Sequence, residues 1–370
     1  MRIGIDAHML GDRSGGNERF YENILLHMDV PDGWSIFLFL REGADAGRYG
    51  GRFQIRRLKS RGAADRYLRE LPRLSRELRL DVLHTQYFIP FRRSCGTVCT
   101  IHDICFEHNA SWFPKKEYLF QKTLIPYAAR HADRVVTVSE YSRQDIVRTY
   151  GLDPGRVAVI PNAVDERFWE MGAADITSVR ARFGIGDAPY ILSVGNLNPR
   201  KNIARLIRAF CSMKERWGGR EKLVIAGKED YGAGALLPEA GKAGKAGRDI
   251  IFTGFVADEE LLRLYRGAKC FVYPSLYEGF GIPPLEAMAC GTPAAVSDRT
   301  SLPEVVGDAG LYFDPENEEE IAECLRRLLT DGDLARSLSE AGRRRARAFD
   351  WKRSAADLLE VYRGAGCVIR

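Results

Sequence analysis

Tyr277-Glu278-Gly279-Phe280-Gly281-Ile282-Pro283-Pro284-Leu285-Glu286 is a glycine-rich loop running into a helix start. Immediately upstream, Ala268-Lys269-Cys270-Phe271-Val272-Tyr273-Pro274 reads as a buried strand. Pro283 and Pro284 supply the fixed φ that suits a first helical turn, which places Glu286 in that turn. There, free N–H groups and the positive end of the helix dipole favour anions, while Gly279 and Gly281 let a ligand approach bare backbone. One glutamate early in a helix commonly does no more than stabilise the dipole. Two of them eight residues apart, in a glycine loop between a strand and a helix, describe a site for a polar, phosphate-bearing ligand.

Outward from this loop, strand-like runs alternate with helix-like ones along the chain, the rhythm of α/β parallel sheets covered on both faces. In the first half strands are expected near Arg2–Ala7, Ser35–Leu40, Gln54–Leu58, Val82–His84, Val98–Ile101, Val135–Val138 and Val157–Ile160. Helices fit Asn17–Met28, Asp65–Arg79, Lys115–Arg130 and Glu140–Tyr150. The second half restarts at Pro189–Gly195 and continues through Lys222–Ala226, Ile250–Thr253, Cys270–Tyr273, Pro293–Ser297 and Leu311–Phe313. Pro161-Asn162-Ala163-Val164-Asp165 is a turn-rich break between the halves. Two doubly wound domains follow, 1–165 and 166–348, with an amphipathic segment 349–370 at the end. The low-complexity run Glu239–Gly247 reads as a surface loop.

At 370 residues the chain exceeds one ordinary hydrophobic core. With 45% hydrophobic and 28% charged residues it has the composition of a soluble globular protein, and no run approaches the ~20 apolar residues of a membrane helix. The N-terminus enters a strand at Arg2-Ile3-Gly4-Ile5-Asp6 without a signal-peptide pattern, so a cytoplasmic protein is expected. Eight cysteines show no zinc-type spacing and read as reduced, mostly buried thiols, so no metal site is expected. The net charge of +5 is unevenly spread: residues 51–80 hold ten basic against three acidic residues. From Asp65 to Leu80, Leu68, Leu71, Leu74 and Leu78 recur at helical spacing, so one face can bury while the other stays cationic. Such a face is either simply solvated or suits an anionic membrane surface or an acidic acceptor. Nucleic acid is a poorer partner, because only Tyr67 interleaves with those arginines.

Three further segments carry chemistry. Gly195-Asn196-Leu197-Asn198-Pro199-Arg200-Lys201-Asn202 puts adjacent cations after the first strand of the second half, where open α/β sheets bind ligands. Arginine binds two phosphate oxygens at once and lysine adds a mobile point charge. Gly11-Asp12-Arg13-Ser14-Gly15-Gly16-Asn17 follows the first strand and opens a helix, so the amides of Gly15 and Gly16 can approach phosphate. His102 and Asp103 end the strand at Ile101, where a histidine either faces the ligand cleft or caps the strand.

The stretch from Glu278 to Glu286 resembles the glutamate-x7-glutamate motif of retaining glycosyltransferases of the GT-B fold, specifically the large group 1 family that includes many bacterial mannosyltransferases. The resemblance spans most of residues 1–362 and is strongest at 189–313. It implies two Rossmann-like domains with a cleft between them that close on a nucleotide-diphosphate sugar, and a C-terminal helix returning to the first domain. Arg200 and Lys201 would hold the diphosphate, Gly16 and its neighbour Gly15 would approach it, and Gly195 would belong to the same donor-binding set. Glu278 would serve the sugar and phosphate, Glu286 the ribose hydroxyls. The amides of Phe280, Gly281 and Ile282 would touch the sugar and that of Leu285 a phosphate, while Val256 and Leu261 would flank the base. The segment Ile101–Phe106 is similar to the His-Asp-x-x-Phe of bacterial mannosyltransferases, so His102 would contact the donor sugar and Asp103 the acceptor side or the loop. Where the family has Pro-Asn-Gly-Val-Asp between its domains, this chain has Ala163.

The implied activity is metal-independent, retaining transfer of a sugar, with mannose from GDP-mannose favoured, to a glycan or lipid-linked acceptor in polysaccharide biosynthesis. The donor is then a substrate and no tightly bound cofactor is expected. A UDP-sugar donor is the first alternative; a sugar-nucleotide epimerase or hydrolase, or a non-catalytic nucleotide-sugar-binding subunit, are the others. Peripheral contact with the inner face of an anionic membrane through residues 51–80 completes the expectation.

Overall fold

In the computed structural model, residues 1–11, 15–169, 176–236 and 244–366 are described. Runs of apolar residues form short strands buried on both faces, as parallel sheets require. The first sheet comprises β1 (Arg2–Asp6), β2 (Ser35–Arg41), β3 (Gln54–Leu58), β4 (Val82–Gln86), β5 (Gly96–Thr100), β6 (Arg134–Thr137) and β7 (Val157–Val159), in the order β3-β2-β1-β4-β5-β6-β7. The second comprises β8 (Tyr190–Val194), β9 (Lys222–Ala226), β10 (Ile250–Gly254), β11 (Cys270–Tyr273), β12 (Ala294–Ser297) and β13 (Gly310–Phe313), in the order β10-β9-β8-β11-β12-β13. Their neighbouring strands pair in parallel. In each sheet the order reverses beside the first strand, between β1 and β4 and between β8 and β11. At such a switch point the connections leave in opposite directions and open a crevice at the carboxyl ends of the strands.

The helices that matter for the site are α1 (Gly16–Leu26), α2 (Ile203–Trp217), α3 (Asp258–Gly267), α4 (Ile282–Ala289) and α5 (Trp351–Gly366). Contacts divide the chain into two units. The first takes in Met1–His108, Lys115–Asn162 and Asp350–Arg370, the second Asn109–Pro114 and Ala163–Phe349. In the second unit α2 lays Leu206, Ile207 and Phe210 on a core with Leu223, Ile225 and Val272. In the first, Phe37, Phe39 and Leu83 pack with Tyr67, Leu71 and Leu74. Helix α5 belongs to the first unit: the Tyr362 hydroxyl lies 2.7 Å from His84 Nδ1, and Ser354 Oγ donates to the Pro161 carbonyl at 2.8 Å.

Two local expectations are corrected. The helix expected over Asp65–Arg79 is broken by a π turn at Arg66–Glu70 between α-helical Ala63–Asp65 and Leu71–Glu77. The extra residue in that turn rotates the preceding positions, so Tyr67 enters the core and Leu68 is 55% exposed. Arg66 and Glu70, two of the charged residues in the 51–80 segment, are buried, and Glu70 accepts the N–H groups of Lys59 and Ser60 at 2.7 and 2.8 Å. Residues 239–243 of the expected surface loop lie outside the described residues, and Gly244–Gly247 form a short helical turn. The seven described cysteines are buried free thiols; Cys367 lies outside the described residues.

Candidate active site

The second unit assembles its polar cluster at the β8/β11 switch point. Beyond β8 the chain turns through a short 3-10 segment, Pro199–Lys201, and Asn202 takes a left-handed conformation with φ 58°. Its amide donates to the carbonyls of Pro274 and Pro315 at 3.1 and 2.7 Å, tying the turn to the loop after β11. That anchoring brings Arg200 and Lys201 onto Glu278. Lys201 Nζ lies 2.6 Å from Glu278 Oε1 and donates to the Tyr273 hydroxyl at 2.5 Å, while Arg200 Nη1 lies 3.1 Å from the same carboxylate oxygen and also reaches the Tyr277 carbonyl. Gly195 takes φ 155°, a conformation that L side chains rarely adopt, and a Cβ there would only reach ordinary contact with Lys201 Cε at 3.4 Å. Burial alone would raise the Glu278 carboxyl, but the two cations outweigh it and hold the group at about 2. The cluster of two cations and one carboxylate therefore carries one net positive charge, a suitable partner for phosphate oxygens.

Glu278 is fixed from its backbone as well. Its N–H donates to Thr300 Oγ1 at 3.0 Å, and Ser301 Oγ donates to the carbonyls of Glu278 and Phe280, each at 2.9 Å. Helix α4 starts one residue before the proline pair, with Gly281 as N-cap at φ 109°. Glu286 is thus the fifth helical residue and lies past the first turn, not within it as expected; glycine at 281 permits the earlier start. Of the N–H groups that open this helix, those at Pro283 and Pro284 do not exist, which leaves Gly281 and Ile282 to offer theirs. Glu286 is 2% exposed and accepts from the Tyr265 hydroxyl of α3 at 2.9 Å. Leu285 is buried in α4, Phe280 is buried edge-on against Phe349, and Val256 and Leu261 are buried whereas Phe255 is exposed.

In the first unit the residues at the β1/β4 switch point and the neighbouring end of β5 form a second polar cluster. His102, two residues past β5, is buried edge-on against Phe20 at 5.1 Å, and its Nε2 lies 2.6 Å from Gln86 Nε2 at the end of β4. Burial depresses its imidazole to about 3, so it is neutral at pH 7 and accepts the amide hydrogen of Gln86. Asp103 accepts the Cys105 N–H at 3.0 Å and so shapes the loop. Gly15, at φ 81°, precedes α1, which opens at Gly16; Asp12–Ser14 lie outside the described residues.

Several residues of the two clusters were not foreseen. Tyr273, Asn202 and Tyr265 hold Lys201, the cation turn and Glu286. Asp6, fully buried at the end of β1, lies 3.0 Å from His8 Nδ1 through one oxygen and 3.2 Å from Arg66 Nε through the other. Burial raises its carboxyl, but His8 and Arg66 outweigh that and hold it below the usual range. An Asp-Ala-His run ending the first strand was a readable signal for a strand-end site; Arg66, sixty residues on, was readable only from the fold. Among the described residues no group of three or more His, Cys, Asp or Glu is placed to hold a metal ion, and no helix is long and apolar enough to cross a membrane.

Two doubly wound units, one carrying a cation pair on the first of two glutamates eight residues apart, define a glycosyltransferase of the GT-B class. Residues 175–345 match the family described as glycosyl transferases group 1, and residues 14–168 match glycosyltransferase family 4. The chain is 31% identical over 277 residues to the O-antigen chain mannosyltransferase B of Escherichia coli, covering 75% of this chain and 72% of that protein. It is 33% identical over 272 residues to the serotype-specific mannosyltransferase WbdA of Escherichia coli, covering 72% of this chain but only 33% of that longer protein. Among solved structures, sucrose-phosphate synthase of Thermosynechococcus elongatus superposes with a TM-score of 0.76 at 20% identity, covering 98% of each chain, a likeness of fold. The chain belongs to the group 1 glycosyltransferases.

Proposed function

We propose that this glycosyltransferase moves mannose from GDP-mannose to a glycan or lipid-linked acceptor in polysaccharide assembly, with retention of anomeric configuration and without a metal ion. The observation that carries this reading is the Arg200–Lys201–Glu278 cluster at the β8/β11 switch point, whose net positive charge suits a departing nucleotide diphosphate. The mannosyl part rests on the relatives named as mannosyltransferases and on the His102-Asp103 segment. In this reading Arg200 and Lys201 stabilise charge on the leaving phosphate, the amides of Gly281 and Ile282 meet oxygen atoms of the donor, and Glu286 accepts from ribose hydroxyls. His102, neutral and fixed by Gln86, offers a hydrogen bond to the sugar rather than a charge. No carboxylate is assigned as a nucleophile; the leaving phosphate takes the acceptor proton as the acceptor oxygen bonds to the anomeric carbon.

Thermal stabilisation of the purified chain by GDP-mannose, UDP-glucose, UDP-N-acetylglucosamine, ADP-glucose and the free nucleotides, first without metal and then with magnesium, tests the donor. A ligand at about 100 times its dissociation constant adds ~2.7 kcal/mol to the folded state. Selective stabilisation by GDP-mannose without metal supports the reading. A response to a uridine sugar alone replaces the donor, and no response to any nucleotide overturns the site. Peripheral membrane contact through 51–80 belongs to the same proposal: Arg69, Arg73 and Arg76 line the Ala63–Glu77 segment, and Arg69 is strongly exposed. Vesicle binding unchanged after neutralising those three arginines would remove it.

A further inference from the structure

We infer that the exposed face of the helix Lys115–His131, together with Phe91 beside it, is a docking surface for an anionic lipid bilayer. The inference rests on the reading of a peripherally membrane-bound transferase and assigns the contact to a face of the first unit other than residues 51–80.

The helix is 17 residues long, yet Ile125, Ala128 and Ala129 are the residues it buries. Leu119 and Phe120 are 63% and 47% exposed, and Phe91, in the loop after β4, is 51% exposed. Among the described residues of the first unit, Leu68 is the one other large apolar side chain exposed to this degree. Single exposed apolar residues are ordinary, whereas a contiguous group marks an interaction surface. Here ring packing gathers them. Phe120 sits edge-on to Phe88 at 5.0 Å, and Phe91 lies 4.8 Å from Tyr127. Phe88 packs edge-on to buried Tyr67 at 5.9 Å, which roots the surface rings in the core. Phe120 and Tyr127 stand about two turns apart, so the face runs for about 10 Å along the helix.

The rim of this face selects its partner. Lys115, Lys116, Lys122 and Arg130 on the helix and Arg92 and Arg93 after Phe91 are all exposed, while the two segments hold one carboxylate, Glu117. Lys122 pairs with Glu107, and the other cations still leave the face positive. Exposed apolar side chains with basic neighbours suit the boundary of a bilayer, where the rings enter the acyl region and the cations meet lipid phosphates. A second copy of the chain applied through the same face would set cation against cation. The segment 51–80 offers less: Arg69 pairs with Asp65, Arg73 pairs with Glu77, and its one large exposed apolar side chain is Leu68.

Flotation of the full chain with vesicles of phosphatidylglycerol and phosphatidylcholine, and with vesicles of phosphatidylcholine alone, tests the surface. The chain is expected to float with the anionic vesicles. Phe120→Ser and Leu119→Ser should each weaken that binding by about tenfold, and Lys116→Gln by about fivefold. Urea midpoints equal to that of the parent chain would show the serine variants to be folded. Phe120→Trp, which keeps an aromatic ring, should retain binding and add fluorescence that brominated lipid quenches. Serine variants that bind as tightly as the parent, added fluorescence that brominated lipid leaves unquenched, or a parent chain that ignores anionic vesicles overturns the inference. A serine substitution that changes the oligomeric state and leaves lipid binding intact also overturns it, because the face would then meet a second copy. Loss of binding on neutralising Arg69, Arg73 and Arg76, with none from the serine variants, defeats this face and leaves the peripheral reading standing. Nucleotide stabilisation of the same samples bears on the transferase reading alone.

Discussion

Two buried imidazoles make the first unit sensitive to mild acid. His84 on β4 and His102 beyond β5 are each depressed to about 3, chiefly by burial, from an ordinary 6.5. His84 is 0% exposed and is held by the hydroxyls of Tyr21, Thr100 and Tyr362 at 3.1, 2.7 and 2.7 Å. Below pH 6.5 the unfolded chain takes up a proton on each histidine while the native chain stays neutral until about pH 3. The stability both contribute is therefore whole above pH 6.5 and falls continuously as the pH is lowered towards 3. At pH 5 the loss is about 2 kcal/mol for each, or about 4 kcal/mol together, a large share of the 5–15 kcal/mol that holds a typical domain. Urea midpoints at pH 7 and pH 5 measure it, followed with a probe in the first unit because the two units need not unfold together. His102→Gln should lose about half of the pH dependence. Ring-proton titration is the direct check: neither imidazole should show a midpoint above pH 5, and one titrating near 6.5 would refute the burial reasoning and the neutral state assigned to His102 in transfer.

The cations of the second unit should be separable from its carboxylates. Lys201→Met removes one charged partner of a diphosphate and is expected to weaken nucleotide-diphosphate binding by about 1.5–3 kcal/mol while affecting the nucleoside less, as calorimetry with GDP and guanosine would show. Gly281→Ala puts a side chain at φ 109° and its Cβ 2.7 Å from Leu302 Cδ2; a loss of about 1–3 kcal/mol in second-unit stability is expected from chemical denaturation, and an unchanged midpoint would refute the cap assignment. Transfer should persist in excess EDTA, whereas activity restored only by added magnesium or manganese would overturn the metal-independent proposal. Tyr362→Phe deletes the hydroxyl 2.7 Å from His84 Nδ1 and should cost about 1–3 kcal/mol of first-unit stability, read from the same urea curves.

Much of the architecture was legible because it depends on local patterning. Gln54–Leu58, Lys222–Ala226 and Cys270–Tyr273 are strands with the bounds expected of them, and Glu140–Tyr150 is the expected helix between a Ser139 cap and left-handed Gly151. The failures arose where tertiary demands override the local repeat. Leucine spacing over Leu68–Leu78 reads as an uninterrupted helix, but burying Arg66 against Asp6 comes with a π turn that exchanges Leu68 for Tyr67 in the core. Likewise, the prolines were an incomplete guide to the start of α4, because a glycine in front of them can adopt the cap conformation. Arg200, Lys201 and Glu278 were individually visible, and the structure brings them together. Asn202 and Tyr273, which set that geometry, resemble ordinary loop and strand residues until the distances are known.

The chemical difference between the two units has a physical origin in how each switch point is filled. Both sheets reverse beside their first strand, so both present the same kind of crevice. In the second unit one buried carboxylate is shared by two cations, which fixes their positions and still leaves positive charge for an incoming anion. Removing Glu278 altogether would leave more positive charge but take from both cations the partner they share, and a site fixed before the reaction stabilises developing charge without reorganising. In the first unit one cation meets one carboxylate, and the His8 imidazole stands beside them. A fold duplicated in outline thus fills its two switch points differently, one with an excess positive charge and the other with a charge-balanced pair.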